Sequence, residues 1–271
     1  MLIDTHCHLD AAEFNADRDA VAASALQDGV GMIVIPAVER ENFQQVIDLT
    51  YKYDHCSMAL GIHPMYVDGA QPSDLVELKR LIAEQLARPR PKIVAVGEIG
   101  LDFFVTKTNR ETQEYFFTEQ LKIANEFDLP VVLHVRRAVD DVLKYLRKYK
   151  VQGGIAHAFN GSAQQAEAFA KLGFKLGFGG AMTYPRALKI RELAKTLPLE
   201  YIVLETDSPD IAPEWIGTKG RNNPAQLVKI AQILANLRSQ ETSQIIEITG
   251  KNALQILPKL ASLCTPLEAL H

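Results

Sequence analysis

MLIDTHCHLD, residues 1–10, starts as a strand and ends in chemistry. Leu2 and Ile3 open a short apolar run of the kind buried on both faces of a parallel sheet. The run gives way to His6, Cys7 and His8, and no glycine follows until Gly29. An open doubly wound sheet usually carries a glycine-rich phosphate fingerprint after its first strand. A closed barrel instead gathers polar side chains at its strand ends.

Outward from this stretch, the same unit recurs along the chain. Strands are predicted at 2–8, 31–37, 57–63, 92–99, 130–135, 153–159, 175–180 and 202–208. Helical patterns fall between them at 17–28, 40–53, 73–87, 110–127, 137–149, 163–172 and 186–196, and two more follow at 224–238 and 241–256. Asn109 and Ser162 stand where helix N-caps are expected. The alternation predicts a single (β/α)8 TIM barrel over residues 1–257, with 258–271 as a C-terminal tail.

The 271 residues carry 29 basic against 33 acidic side chains, a formal net charge of −4. That balance argues against broad electrostatic wrapping of nucleic acid or attachment to an anionic membrane. Cys7, Cys56 and Cys264 are odd in number and widely spaced, which fits a reducing compartment. The N-terminus lacks the apolar core of a secretory signal, and no run approaches about 18 apolar residues. A cytoplasmic monomer without a membrane partner is expected.

Polar, metal-capable groups end nearly every predicted strand: His6 and His8, His63, Glu98, His134, His157, and Glu205 with Asp207. Residues two apart on a strand share a face, so His6 and His8 point together and Cys7 points away as a packing residue. The same alternation turns Glu205 and Asp207 inward together. Asp4 lies one layer below His6, open to either a ligand-supporting or a structural hydrogen bond. A lone strand-end histidine is usually a satisfied core residue. Six groups converging on one rim would be costly to bury without a cation.

His6, His8, Glu98, His134, His157 and Asp207 exceed the usual three protein ligands of a single catalytic zinc. They suit two divalent metal ions about 3.5–4 Å apart. The expected division puts His6, His8 and Asp207 on one ion, His134 and His157 on the other, and Glu98 across both. Asp207, with Glu205, is the candidate catalytic pair, Asp207 taking the proton of the attacking water. The imidazole count favours zinc, manganese, nickel or iron over magnesium.

Substrate contacts are expected from His63, Arg136, Asn160 and Arg221. Arg136 follows His134 by two residues and offers a planar fork that suits phosphate, with a surface salt bridge as the rival reading. The backbone of Asn160, Gly161 and Ser162 lies where a helix N-terminus could cradle an anion. Arg221 lies with Lys219 in a loop after the last strand. His63, followed by Pro64, is open to ligand, substrate or structural roles.

IDTHCHLD (3–10), GIHP (61–64), VGEIGLDF (96–103), LPVVLHVRRA (129–138), HAFNGS (157–162), LETDSP (204–209), GRNNP (220–224) and TGKNAL (249–254) carry a resemblance. In this order the chain resembles the TatD-type metal-dependent hydrolases, the TatD deoxyribonucleases of the amidohydrolase-like superfamily. The resemblance implies a two-metal (β/α)8 barrel that hydrolyses phosphodiesters, often as a 3′–5′ exonuclease on DNA or RNA and often with magnesium. It carries ligand roles to His6, His8, Glu98, His134, His157 and Asp207, and implies that His63 and Glu205 contribute to the site. Arg137 stands where an Asp is common, Asp210 where an aromatic is common, and Asn223 replaces a usual Glu. Phe103 and Phe104 replace frequent tyrosines. These departures bear on substrate preference.

The function expected is therefore a metal-dependent phosphodiesterase acting as a 3′–5′ exodeoxyribonuclease on single-stranded nucleic acid ends or a small phosphodiester. The alternative is an amidohydrolase or lactonase/esterase for a small anionic molecule. Many binuclear amidohydrolases bridge their metals with a carboxylated lysine. Glu98 takes that place here, and Lys92 sits at the wrong end of its strand. A scaffold that has lost chemistry is a third reading, and the intact ligand set argues against it.

Overall fold

The computed structural model describes residues 1–104 and 109–264. Eight parallel strands pair in sequence order: β1 (Leu2–Asp4), β2 (Val30–Pro36), β3 (Cys56–Leu60), β4 (Ile93–Asp102), β5 (Val131–Arg136), β6 (Gly154–Ala156), β7 (Phe174–Phe178) and β8 (Ile202–Leu204). A helix follows each one: α1 (Arg18–Gln27), α2 (Phe43–Lys52), α3 (Pro72–Leu86), α4 (Arg110–Glu126), α5 (Val139–Lys148), α6 (Ala163–Lys171), α7 (Leu188–Thr196) and α8 (Leu227–Arg238). The expected barrel is present. Asn109 caps α4 by accepting from the Glu111 and Thr112 N–H groups, and Ser162 caps α6 through Gln165.

β1 and β8 are the ends of the paired order, and three backbone hydrogen bonds join them beyond the strands. Thr5 N–H donates to Leu204 O at 3.1 Å, Asp207 N–H to His6 O at 2.8 Å, and His8 N–H to Ser208 O at 2.8 Å. Asp4 reinforces this seam. Its buried carboxylate accepts from Thr206 Oγ1 at 2.6 Å and Thr206 N–H at 2.9 Å. Of the two readings open for Asp4, the structure supports the structural hydrogen bond. Burial pushes its carboxyl up to about 7, against those donors.

Several strands end earlier than their apolar pattern suggests. β1 stops at Asp4, β3 at Leu60, β6 at Ala156 and β8 at Leu204. The residues beyond leave the ladder so that their side chains reach the mouth. β4 does the opposite and runs to Asp102, with a register shift between Val96 and Ile99 against β5. This bulge turns Glu98 inward, and the Glu98 N–H donates to Ala37 O at 2.9 Å.

Two further helices, α9 (Thr242–Ile256) and α10 (Pro258–Leu263), close the opposite end. Leu257, Leu260 and Leu263 are buried against the barrel-lining Ile3, Met32, Val94 and Val132. The expectation of a tail from 258 is thus corrected for 258–263. Leucines three apart, with Pro258 at the first helical position, make a short amphipathic plug. The remainder of that expected tail, 265–271, lies outside the described residues. No helix among the described residues is long and apolar enough to cross a membrane.

Candidate metal centre

Glu98 is the hub. Its Oε2 lies 3.1 Å from His6 Nε2 and 3.5 Å from His8 Nε2. Its Oε1 lies 2.9 Å from His157 Nε2, 3.1 Å from His134 Nδ1 and 3.5 Å from His63 Nε2. One carboxylate oxygen therefore faces each half of the site. Asp207 Oδ1 completes the first half, 3.5 Å from His6 Nε2 and 3.7 Å from His8 Nε2. Three ligand-capable groups result: His6, His8 and Asp207; His6, Glu98 and His157; and His63, Glu98 and His134. Within each, the candidate ligand atoms lie within 4.8 Å of one another.

This donor set fits divalent cations. His6 Nε2 and His8 Nε2 face each other at 3.2 Å, and a single proton can serve only one of two such nitrogens. Ligand atoms about 2.0–2.2 Å from a shared ion are themselves roughly 3 Å apart, the separation seen around Glu98. Without a cation, protons take its place. Burial opposes charge on His8 and His157, but Glu98 beside both raises them to about 9 and about 10. His6 is driven down to about 3 by burial and by the His157 ring stacked 3.9 Å away. Burial would raise Glu98, yet His157, His6 and His63 hold it well below the ordinary carboxylate range. Burial also raises Asp207.

Asp102 was not singled out from the sequence. Its Oδ2 lies 2.9 Å from His134 Nε2, so it holds that nitrogen and leaves Nδ1 toward Glu98. A carboxylate behind a ligating imidazole fixes the ring and its tautomer. The signal was present, because Glu98, Gly100 and Asp102 alternate on one strand. Gly100 permits the approach: a Cβ there would sit 1.9 Å from His134 O.

His63 points into the second half, but Met65 N–H donates to its Nδ1 at 3.1 Å. The neutral ring then carries its proton on Nε2, facing the site as a donor rather than a lone pair. Cys7 is fully buried with Sγ 3.1 Å from Ser208 Oγ, and burial raises its thiol, in line with the packing role.

Glu205 departs from expectation. Asp207 adopts a left-handed φ of 55°, which breaks the strand alternation that would have aligned the two. Glu205 instead lies beneath His157, its Oε1 2.5 Å from Ala158 N–H and 3.8 Å from His157 Nδ1. It belongs to none of the three ligand groups. Burial raises its carboxyl to about 8. Gly177 makes room for it, since a Cβ there would lie 2.0 Å from Glu205 Oε2.

The expected substrate contacts divide. Arg136 is half exposed at the rim, 4.0 Å from Asp102. Asn160 is exposed beyond His157. Arg221 has its fork on Asp17 at 2.8 and 2.6 Å and on Glu13 O at 2.7 Å. The anion cradle is corrected at Ser162, whose N–H already donates to Gln165 Oε1. A capping box consumes the donor that the cradle required.

Residues 3–258 match the family described as TatD related DNase. The chain is 42% identical over 252 residues to the uncharacterized metal-dependent hydrolase YjjV of Escherichia coli K12, covering 92% of this chain and 95% of that one. It is 32% identical to human deoxyribonuclease TATDN3, over 97% and 96% of the two chains. The crystal structure of E. coli YjjV superposes with a TM-score of 0.89 at 39% identity, over 95% of this chain and 98% of that one. The ligand geometry and these likenesses agree, and the chain belongs to the TatD-related DNase family.

Proposed function

We propose that this metal-dependent hydrolase is a two-cation phosphodiesterase that shortens single-stranded nucleic acid from its 3′ end. The observation carrying this reading is Glu98, with one buried carboxylate oxygen turned to each ligand group. His6, His8, Asp207 and Glu98 would hold one ion; Glu98, His134 and His157 would hold the other. Zinc or manganese suits the four ligating imidazoles, His6, His8, His134 and His157, better than magnesium. Ions bound there would supply Lewis acidity to the phosphoryl oxygens and acidify a bound water.

The chain's own groups do the rest. Asp207, at the open side of the first group, accepts the proton of the attacking water. His63 Nε2–H donates to a phosphoryl oxygen that gains charge. Asp102 holds the His134 ring in register, and Glu205 holds the turn that carries His157. All these residues come from one chain, so the site is complete in a monomer. The small-molecule amidohydrolase reading has less support. Lys92 Nζ is committed to Thr50 O at 2.5 Å and Tyr53 O at 3.0 Å, away from the mouth, and is unavailable as a carboxylated bridge.

The test is metal analysis followed by incubation of the loaded protein with 3′-labelled single-stranded DNA, RNA and a panel of esters and lactones. Two equivalents of metal and stepwise 3′ shortening are expected. Hydrolysis confined to the ester and lactone panel would overturn the nuclease reading.

A further inference from the structure

Three rim residues have no part in the chemistry just described. Phe104, in the loop after β4, is 44% exposed. The guanidinium carbon of Arg136 lies 3.8 Å from its ring centre and that of Arg137 lies 4.6 Å away. The cluster is one side chain from the metal ligands. Asp102 accepts from Phe104 N–H at 2.9 Å through one oxygen and holds His134 through the other.

Several surface arginines are held by carboxylates. Arg80 pairs with Glu77 and Glu84, Arg110 with Glu114 and Asp141, and Arg221 with Asp17. Arg137 has no carboxylate partner among the described residues, and Arg136 reaches Asp102 only at 4.0 Å. Arg137 is also held at a left-handed φ of 53°, a conformation unusual for a residue with a Cβ. In a chain of net charge −4, two guanidinium groups on an exposed aromatic ring, one of them without a carboxylate partner among the described residues, make a local anion-receiving surface beside the hydrolytic centre.

We infer that Phe104, Arg136 and Arg137 seat the nucleotide that flanks the cleaved bond. The base stacks on the exposed aromatic and guanidinium surface while a neighbouring phosphate takes the arginine forks. Every base offers a π-face, so this seat is tolerant of sequence. It reads polymer against small molecule: a diester with no flanking nucleotide is held by the centre alone. The inference rests on the nuclease reading and assigns residues to its substrate preference.

The experiment has two arms. In the first, kcat/KM is measured for (dT)10 and for bis(p-nitrophenyl) phosphate. Phe104→Ala lowers the ratio of the two about tenfold, mainly through KM for the oligonucleotide. Phe104→Trp restores it, and Arg147→Ala on the solvated face of α5 leaves it unchanged. An oligonucleotide abasic next to the cleaved bond removes the difference between wild type and Phe104→Ala.

In the second arm, the metal-loaded protein is titrated with fluorescent phosphorothioate (dT)10. Arg137→Ala weakens binding and reduces the salt slope by about one. Equal losses on both substrates in Phe104→Ala, or undiminished binding by Phe104→Ala and Arg137→Ala, overturn the seat. If the wild type cleaves the small diester but leaves (dT)10 intact, the nuclease reading falls. The binding arm then still decides whether the seat exists.

Discussion

Glu98 sets one oxygen against His6 and His8 and the other against His134 and His157, so its loss disconnects the two halves of the centre. Glu98→Ala is expected to lower bound metal below two equivalents and hydrolysis by at least about 10²-fold, measured by metal analysis and by turnover. Asp102→Asn tests a milder effect. It should weaken metal binding about 10–100-fold, read by competition with a chelator, while the far-ultraviolet circular dichroism stays unchanged. His6, His8 and Glu98 were legible because strand ends and spacing announce them. Asp102 and the donor state of His63 were not. Each depends on a contact across the fold or on a local backbone N–H that no spacing reveals.

pH dependence also belongs to single residues. In the metal-free chain Glu205, His8 and His157 are raised to about 8, 9 and 10. Between pH 7 and 9 the folded chain thus holds protons that the unfolded chain has released. A raised group contributes stability below its unfolded value and loses it as pH climbs through its folded value, so stability falls across this window. Metal binding needs His8 and His157 deprotonated and tightens over the same window. Urea midpoints at pH 7, 8 and 9 should therefore fall with chelator present and hold or rise with metal. A metal-free midpoint that rose with pH would contradict the assignment.

At the scale of elements, the barrel's two ends do different work. Mouth-side strands stop short and release His6, His63, His157 and Asp207 from the ladder. The far end is sealed by α10, with Leu260 fully buried on the barrel floor. Leu260→Ala is expected to cost about 2–5 kcal/mol of stability, seen in urea unfolding, with little change in turnover. Gly177→Ala on β7 should act the other way round. Its Cβ would displace Glu205, disturb the turn bearing His157, and lower turnover more than stability. Strand existence was readable from apolar runs, whereas strand ends were not. The runs continue through residues whose backbone has already left the sheet, and the leucine spacing of α10 is too short to announce a helix.

The whole molecule was the most legible scale. Alternating strands and helices over this length admit few closures, and the absence of an early glycine removed the main rival. Net charge was the least informative quantity, because most surface ion pairs cancel locally while the mouth gathers its own field. One device was invisible at this scale: the seam between β1 and β8, where His6, His8 and Asp207 are joined by the same backbone hydrogen bonds that complete the barrel.

That seam imposes an order in time. His6 and His8 are made before Asp207, which follows some two hundred residues later. A nascent chain that has emerged through β7 carries Glu98, His134 and His157 but not yet Glu205 or Asp207, and its β1 still lacks a neighbour on one side. The group of His6, His8 and Asp207 is complete only when β8 docks against β1. Completion of the site and completion of the barrel are thus one event in the chain's synthesis.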